Sequence, residues 1–182
     1  VKGNLRVMVN HFTEKVRGDL GGRAKAMIVT SSREAAVRYR LAYEELRHEN
    51  MGKLGHVQAL VAFSGEVIVD GEKYTEVGMN GGLAESRLPD LFHEDGYRIL
   101  IVADKYQTGF DEPLLSAMNV AKKLHGLSAV QTLSRLNRIC PPYEKRPYVL
   151  DFINSYEDIA AAFAPYYENT VLENPLTYSD LK

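Results

Sequence analysis

Arg98-Ile99-Leu100-Ile101-Val102-Ala103-Asp104-Lys105-Tyr106-Gln107-Thr108-Gly109-Phe110-Asp111 is an apolar run that ends in a polar turn. The apolar part is continuous rather than alternating, the pattern of a parallel strand covered on both faces. The turn then stands at the carboxyl end of that strand, the edge where open α/β sheets hold ligands. Gly109 lets the backbone approach a ligand closely or take a positive φ. Asp111 offers an acceptor, and Pro113 discourages an immediate return into a central strand. Taken alone, Thr108-Gly109-Phe110-Asp111 also fits an ordinary strand-to-helix turn.

Downstream, residues 127–139 hold neither Pro nor Gly. Gly126 and Ser128 provide a start and Pro141-Pro142 a stop, which predicts a helix. At about 100° per residue, Gln131, Arg135 and Arg138 share one face, and Leu133 and Leu136 lie opposite. An amide and two guanidiniums on one stripe suit a phosphate or a carboxylate. The same stripe fits a solvated face with ordinary surface arginines. A last strand is predicted over 149–152, followed by a helix over 155–167 with Ile159, Phe163 and Tyr166 inward.

Upstream, residues 1–17 carry Leu5, Val9, Phe12 and Val16 at helical spacing, and residues 18–22 break the pattern. A strand over 26–30 runs into Thr30-Ser31-Ser32, and a helix over 33–48 follows with Ala36, Tyr39, Tyr43 and Leu46 inward. Ser31 or Ser32 suits its N-cap. A second strand over 57–63 ends in Ser64-Gly65. Residues 67–82 are polar and glycine-punctuated, which predicts a long loop or small hairpin. Residues 83–93 predict a helix with Leu83, Leu91 and Phe92 buried, and 117–120 another strand. Strands alternating with helices give an α/β, three-layer, mostly parallel sheet with helices on both faces.

With 182 residues the chain is long enough for one domain with a sizeable core. A net charge of −2 gives no global electrostatic case for nucleic acid, so any such contact must be local. Cys140 is the single cysteine, which excludes an intrachain disulfide and fits a cytoplasmic setting. No apolar run approaches the ~20 residues of a membrane span. Five histidines lie scattered without metal-ligand spacing, so no metal site is expected. The chain begins with Val rather than Met, as an excised fragment would. No Gly-x-x-x-x-Gly-Lys-Ser/Thr loop occurs to cradle a triphosphate.

Several strings go beyond general pattern: Lys25 to Tyr39 (K-A-M-I-V-T-S-S-R-E-A-A-V-R-Y), Ile99 to Pro113, Gln131 to Arg138 (Q-T-L-S-R-L-N-R) and Tyr148 to Asn154 (Y-V-L-D-F-I-N). Together they resemble the second RecA-like lobe of superfamily 2 translocases, and more closely the motor subunit of type I restriction endonucleases. One departure is the 118–122 strand, where the family pattern has an acidic residue near Ala121. The resemblance implies an arm or interlobe linker over 1–22, the lobe over 23–154, and a helical extension toward a further domain over 155–182. It implies ATP with Mg2+ held mainly by a separate upstream lobe in cis. Arg138 and Arg135 would reach the γ-phosphate, with Gln131, Gly109 and Asp111 near the nucleotide. Thr30, Ser31, Ser32, Ser64, Gly65 and Thr108 would lie along double-stranded DNA. Methyltransferase and specificity subunits would complete the assembly. Two other readings fit the same residues: a lobe of an RNA or repair helicase, and a non-enzymatic α/β binding module.

Overall fold

A computed structural model of the chain describes residues 1–106 and 110–165. The expected roles of Thr108 and Gly109, and the inward Tyr166, fall outside the described residues. In chain order the elements are α1 (Lys2–His11), continued by a wider turn at Phe12–Val16, then α2 (Asp19–Gly22), β1 (Lys25–Thr30), α3 (Arg33–Glu49) and α4 (Met51–Leu54). Next come β2 (Gln58–Ala62), β3 (Glu66–Val69), β4 (Glu72–Thr75), α5 (Glu76–Met79), α6 (Leu88–His93), β5 (Tyr97–Ala103) and β6 (Leu115–Ala121). The last are α7 (Gly126–Leu133), β7 (Tyr148–Asp151) and α8 (Tyr156–Phe163).

Five strands form one sheet in the order β2-β5-β1-β6-β7, and every pairing in it is parallel. The run at 98–103 became a central strand because both of its faces find apolar cover. Ile99, Ile101 and Ala103 join Ala26, Ile28, Ala59 and Val61 in one core with α1, α3 and Phe12. Leu100 and Val102 join Met27, Val29, Leu60 and Ala62 in the other, with Phe92, Ala129, Val130 and Phe163. Residues alternate between the two cores, as the period-2 pleat requires. The result is three layers.

The segment 67–82 forms a hairpin, β3 with β4, turning at Asp70-Gly71, and then the single helical turn α5. This segment does more than cross the surface. Asn80 lays its amide against the outer edge of β2, accepting from Val61 N–H at 3.0 Å and donating to Val61 C=O at 2.7 Å. Phe63 N–H donates to Glu76 Oε2 at 2.9 Å. Side chains thus take the place of a sixth strand on that edge.

The helix expected over 83–93 starts later, at Leu88, with Pro89 in its first turn where the missing N–H costs nothing. Leu88 and Phe92 are its buried residues, whereas Leu83 and Leu91 are only partly buried. The helix expected over 127–139 also differs. It is α-helical to Leu133, tightens to a 3-10 turn at Ser134–Asn137, and Arg138 is extended (φ −67°, ψ 126°). Ser134 Oγ donates to Val130 C=O four residues back, a bond that bends helices. The Pro141-Pro142 pair then forbids continuation.

Lys25 is 0% exposed, at the start of β1. Its Nζ donates to Glu94 C=O at 2.8 Å and Tyr97 C=O at 2.6 Å and lies 5.2 Å from the centre of the Phe92 ring. Burial pushes the ammonium from its usual 10.5 down to about 8, against the opposing pull of Glu112. A lysine with a depressed folded value leaves the unfolded chain holding more protons between about pH 8 and 10.5. Stability therefore rises with pH across that window and is flat below it. Relative to Lys25→Met, the natural chain should gain about 1–3 kcal/mol of unfolding free energy between pH 8 and 10. Urea melts of both chains across that range measure this. Equal slopes would mean that Lys25 does not titrate there.

Candidate functional site

Parallel pairing throughout brings every strand's carboxyl end to one edge of the sheet. Ser31 and Ser32 follow β1, Ser64 and Gly65 lie beyond β2, Asp104 to Tyr106 follow β5, and Phe152 to Asn154 follow β7. Asp151 and Asn154 brace this rim. Asp151 Oδ1 accepts from Ile153 and Asn154 N–H at 2.9 and 2.8 Å. Asn154 accepts from Leu124 N–H and donates to Lys122 C=O, both at 2.9 Å. The chain leaving β6 toward α7 is thereby tied to the end of β7.

The two polar clusters also meet, but beyond the amino end of β6 and not on the carboxyl edge expected for Asp111: Asp111 adjoins Glu112, which contacts His93 at the end of α6, and Leu114 C=O accepts from Lys25 N–H at the start of β1. Arg138 Nε lies 3.1 Å from Asp111 Oδ1, with both side chains 63% exposed. Arg135 Nη1 donates to the carbonyl of Phe110 at 2.9 Å. Its buried Nε has no partner among the described residues. Burial lowers the Arg135 guanidinium from its ordinary value, yet an arginine stays charged in a protein. Arg138 arrives there by leaving the helix, not by helical periodicity. The carbonyl of Arg138 accepts from Lys145 Nζ at 2.9 Å, which fixes the departing backbone. Gln131 is exposed on α7, before the bend that carries Arg135. The arrangement presents two cations and a carboxylate on one surface near the amino ends of the strands, a suitable counterpart for an anionic group brought by another body.

On the carboxyl rim itself, Ser32 caps α3, its Oγ accepting from Ala35 N–H at 3.0 Å. Ser31 and Ser32 are exposed, and so are Ser64 and Gly65, the latter at φ +73°. Thr30 departs from the expectation. It is 0% exposed and its Oγ1 donates to Val102 C=O at 2.8 Å, so its hydroxyl proton serves the sheet and it has no surface to offer a phosphate. Arg33 was not foreseen. Its Nη1 donates to the carbonyls of Ser64 (3.3 Å) and Glu66 (3.1 Å), joining the start of α3 to the turn beyond β2. The only sequence signal for it is an arginine in the first turn of a helix, where a cation opposes the helix dipole and needs another reason to be there.

Among the described residues, no group of three or more His, Cys, Asp or Glu side chains is placed to hold a metal ion. None of the helices is long and apolar enough to cross a membrane.

Residues 83–154 match the family described as type I restriction enzyme subunit R domain 3, in its domain 3-like form. Over 167 residues the chain is 28% identical to a Methanocaldococcus jannaschii protein named as the MjaIXP type I restriction enzyme endonuclease subunit, covering 87% of this chain and 14% of that protein. It is 25% identical over 153 residues to the type I restriction enzyme HindI endonuclease subunit of Haemophilus influenzae, covering 81% and 14%. The chain therefore spans about one seventh of the length of these relatives. Domain 2 of the DEAD-box helicase Mss116p, solved bound to an RNA duplex, superposes with a TM-score of 0.57 at 14% identity, over 98% of this chain and 62% of that one. The C-terminal domain of the DEAD-box protein Dbp5 gives 0.52 at 14% identity, over 93% and 82%. The fold is thus that of a helicase C-terminal lobe, and residues 83–154 and the named relatives make the chain similar to type I restriction enzyme R subunits.

Proposed function

We infer that this lobe is the second half of an ATP-driven DNA translocase in a type I restriction endonuclease. The observation that carries the reading is the meeting of Arg135 and Arg138 with Phe110 and Asp111 at the surface of the lobe. ATP and Mg2+ would be held mainly by an upstream lobe in cis that carries the phosphate-cradling loop this sequence lacks. When the two lobes close, Arg138 exchanges Asp111 for the γ-phosphate. An exposed ion pair of this kind contributes about 0–1 kcal/mol, so its release is not a barrier. Asp111, once vacated, meets the ribose, and Arg135 stays pinned to the Phe110 carbonyl as a second cation. Gln131 and Gly109 complete the nucleotide side in this reading.

Ser31, Ser32, Ser64 and Gly65, gathered by Arg33, would follow the DNA backbone along the carboxyl rim, joined by Thr108. Contacts from hydroxyls and backbone N–H groups position a duplex without reading its sequence. Recognition of a site then belongs to a specificity subunit, beside a methyltransferase subunit. The fold likeness alone would equally suit an RNA helicase lobe, since one similar structure was solved on an RNA duplex. The relatives' names favour restriction.

The test compares ATP hydrolysis by the isolated chain and by the full-length protein, each with and without duplex DNA. The isolated chain should show no turnover above background, and the full-length protein should turn over ATP faster with DNA. Turnover by the isolated chain, or stimulation of the full-length protein by RNA but not DNA, would overturn the reading.

A further inference from the structure

On the carboxyl rim, between the ends of β2 and β5, lies an ion-pair cluster that the reading above does not use. Glu76 is 1% exposed. Its Oε2 accepts from Phe63 N–H at 2.9 Å and from Lys105 Nζ at 2.7 Å, and its Oε1 is buried with no partner among the described residues. Lys105 Nζ also meets Glu85 Oε2 at 2.8 Å. Burial pushes the Glu76 carboxyl up. Lys105 is desolvated too, but its two carboxylates outweigh that and raise it. The two shifts disagree about the pair. The short Nζ–Oε2 distance and the shared second carboxylate favour a charged pair at neutral pH.

Fastening the excursion to β2 does not require this charge. An amide oxygen would accept from Phe63 N–H as well. The residues beside Lys105 give the pair another role. Asp104 (φ +51°) and Tyr106 (φ +62°) both lie in the left-handed region without being glycine. Such conformations persist only where surrounding contacts hold them, and Lys105 is the residue between them. The Tyr106 ring packs on Phe110 with centroids 4.9 Å apart. Phe110 C=O takes Arg135, and Asp111 takes Arg138. On the other flank, Phe63 leads directly into the Ser64-Gly65 turn that Arg33 fastens.

We propose that Glu76 and Lys105 are positioning residues. Their ion pair fixes where the end of β5 places Phe110 and Asp111, and through them Arg135 and Arg138, relative to the Ser64-Gly65 turn. A ligand at the carboxyl rim is then felt at the Arg138–Asp111 pair beyond the amino end of β6, and the reverse. This rests on the reading above, with DNA at the carboxyl rim and nucleotide at Arg135 and Arg138.

The experiment uses the full-length protein and two variants. Glu76→Gln keeps an acceptor for Phe63 N–H and removes the charge, and Lys105→Met keeps the aliphatic stem. Two quantities are read: the ratio of ATP hydrolysis with duplex DNA to that without it, and hydrogen exchange at the Phe110 and Asp111 amides. Both variants should lower the ratio roughly 2- to 30-fold, the range of coupling changes seen on such substitutions, with ATP affinity unchanged. Exchange at Phe110 and Asp111 should quicken. A purely structural role would lower hydrolysis in parallel with and without DNA and leave the ratio intact. That result, or unchanged exchange at the two amides, overturns the proposal. If Lys105→Met does not fold, Glu76→Gln decides by the same readouts. If the natural protein shows no DNA stimulation, the translocase reading fails, and exchange alone then decides whether the pair positions Phe110 and Asp111.

Discussion

Arg138→Ala in the full-length protein should leave ATP binding intact and abolish ATP-driven movement along DNA. The side chain is 63% exposed and its ion pair with Asp111 is exposed to the same degree, so its loss does not threaten the fold. Its expected role lies in the transition state, where a guanidinium meets charge developing on the transferred phosphoryl group. Arginines of this kind contribute about 10³ to 10⁵ in kcat, or roughly 4–7 kcal/mol. Nucleotide binding by fluorescence and hydrolysis with saturating DNA separate the two effects. Arg135→Ala should differ in character. Arg135 is half-buried and holds the Phe110 carbonyl, so its removal also loosens the segment that presents Asp111. If Arg138→Ala keeps its DNA-stimulated hydrolysis, the assignment of that residue is lost.

Phe92→Ala should cost the lobe about 3–5 kcal/mol, the largest stability change expected from one substitution here. The ring is 0% exposed, sits under the Lys25 ammonium and stands 6.1 Å from the Phe110 ring, centre to centre. Truncation removes apolar cover from one core and leaves a cavity beneath both a buried cation and the residue whose carbonyl anchors Arg135. For a domain of this size the midpoint of thermal unfolding should fall by roughly 6–20 °C. Leu127→Ala is the control. Leu127 is 51% exposed, and its loss should change stability by no more than about 0.5 kcal/mol. A Phe92→Ala midpoint within a degree or two of the natural chain would show that the ring is not packed as described.

The sheet was legible because its strands are covered on both faces. A run such as 98–103 has no alternation to misread, and its polar sequel marks the carboxyl edge. The meeting of the two polar clusters was also legible, though partly for the wrong reason. Arg138 reaches Asp111 from extended backbone after a 3-10 turn, whereas helical spacing had placed it on a common stripe with Gln131. The bend comes from Ser134 bonding back to Val130, a choice between backbone partners that propensity does not settle. Thr30 was misjudged because a hydroxyl reads alike whether it faces solvent or a neighbouring strand. Only the parallel pairing of β1 with β5 turns it toward Val102. Arg33, Lys105, Glu76 and Asn80 were missed for a shared cause. Each acts through a partner about 19 to 33 residues away. Nothing in a local window distinguishes such a residue from an ordinary charged or amide side chain on a surface.

The amide of Asn80 and the carboxylate of Glu76 already occupy the outer margin of β2. An intruding chain finds no open N–H and C=O at Val61 to pair with, so this margin is a poor template for stacking one molecule onto another. The hairpin tip has a tether of its own, because Arg38 of α3 donates to both carboxylate oxygens of Asp70 at 3.0 Å, so the plugs at Val61 and Phe63 do not depend on the tip alone for their seat.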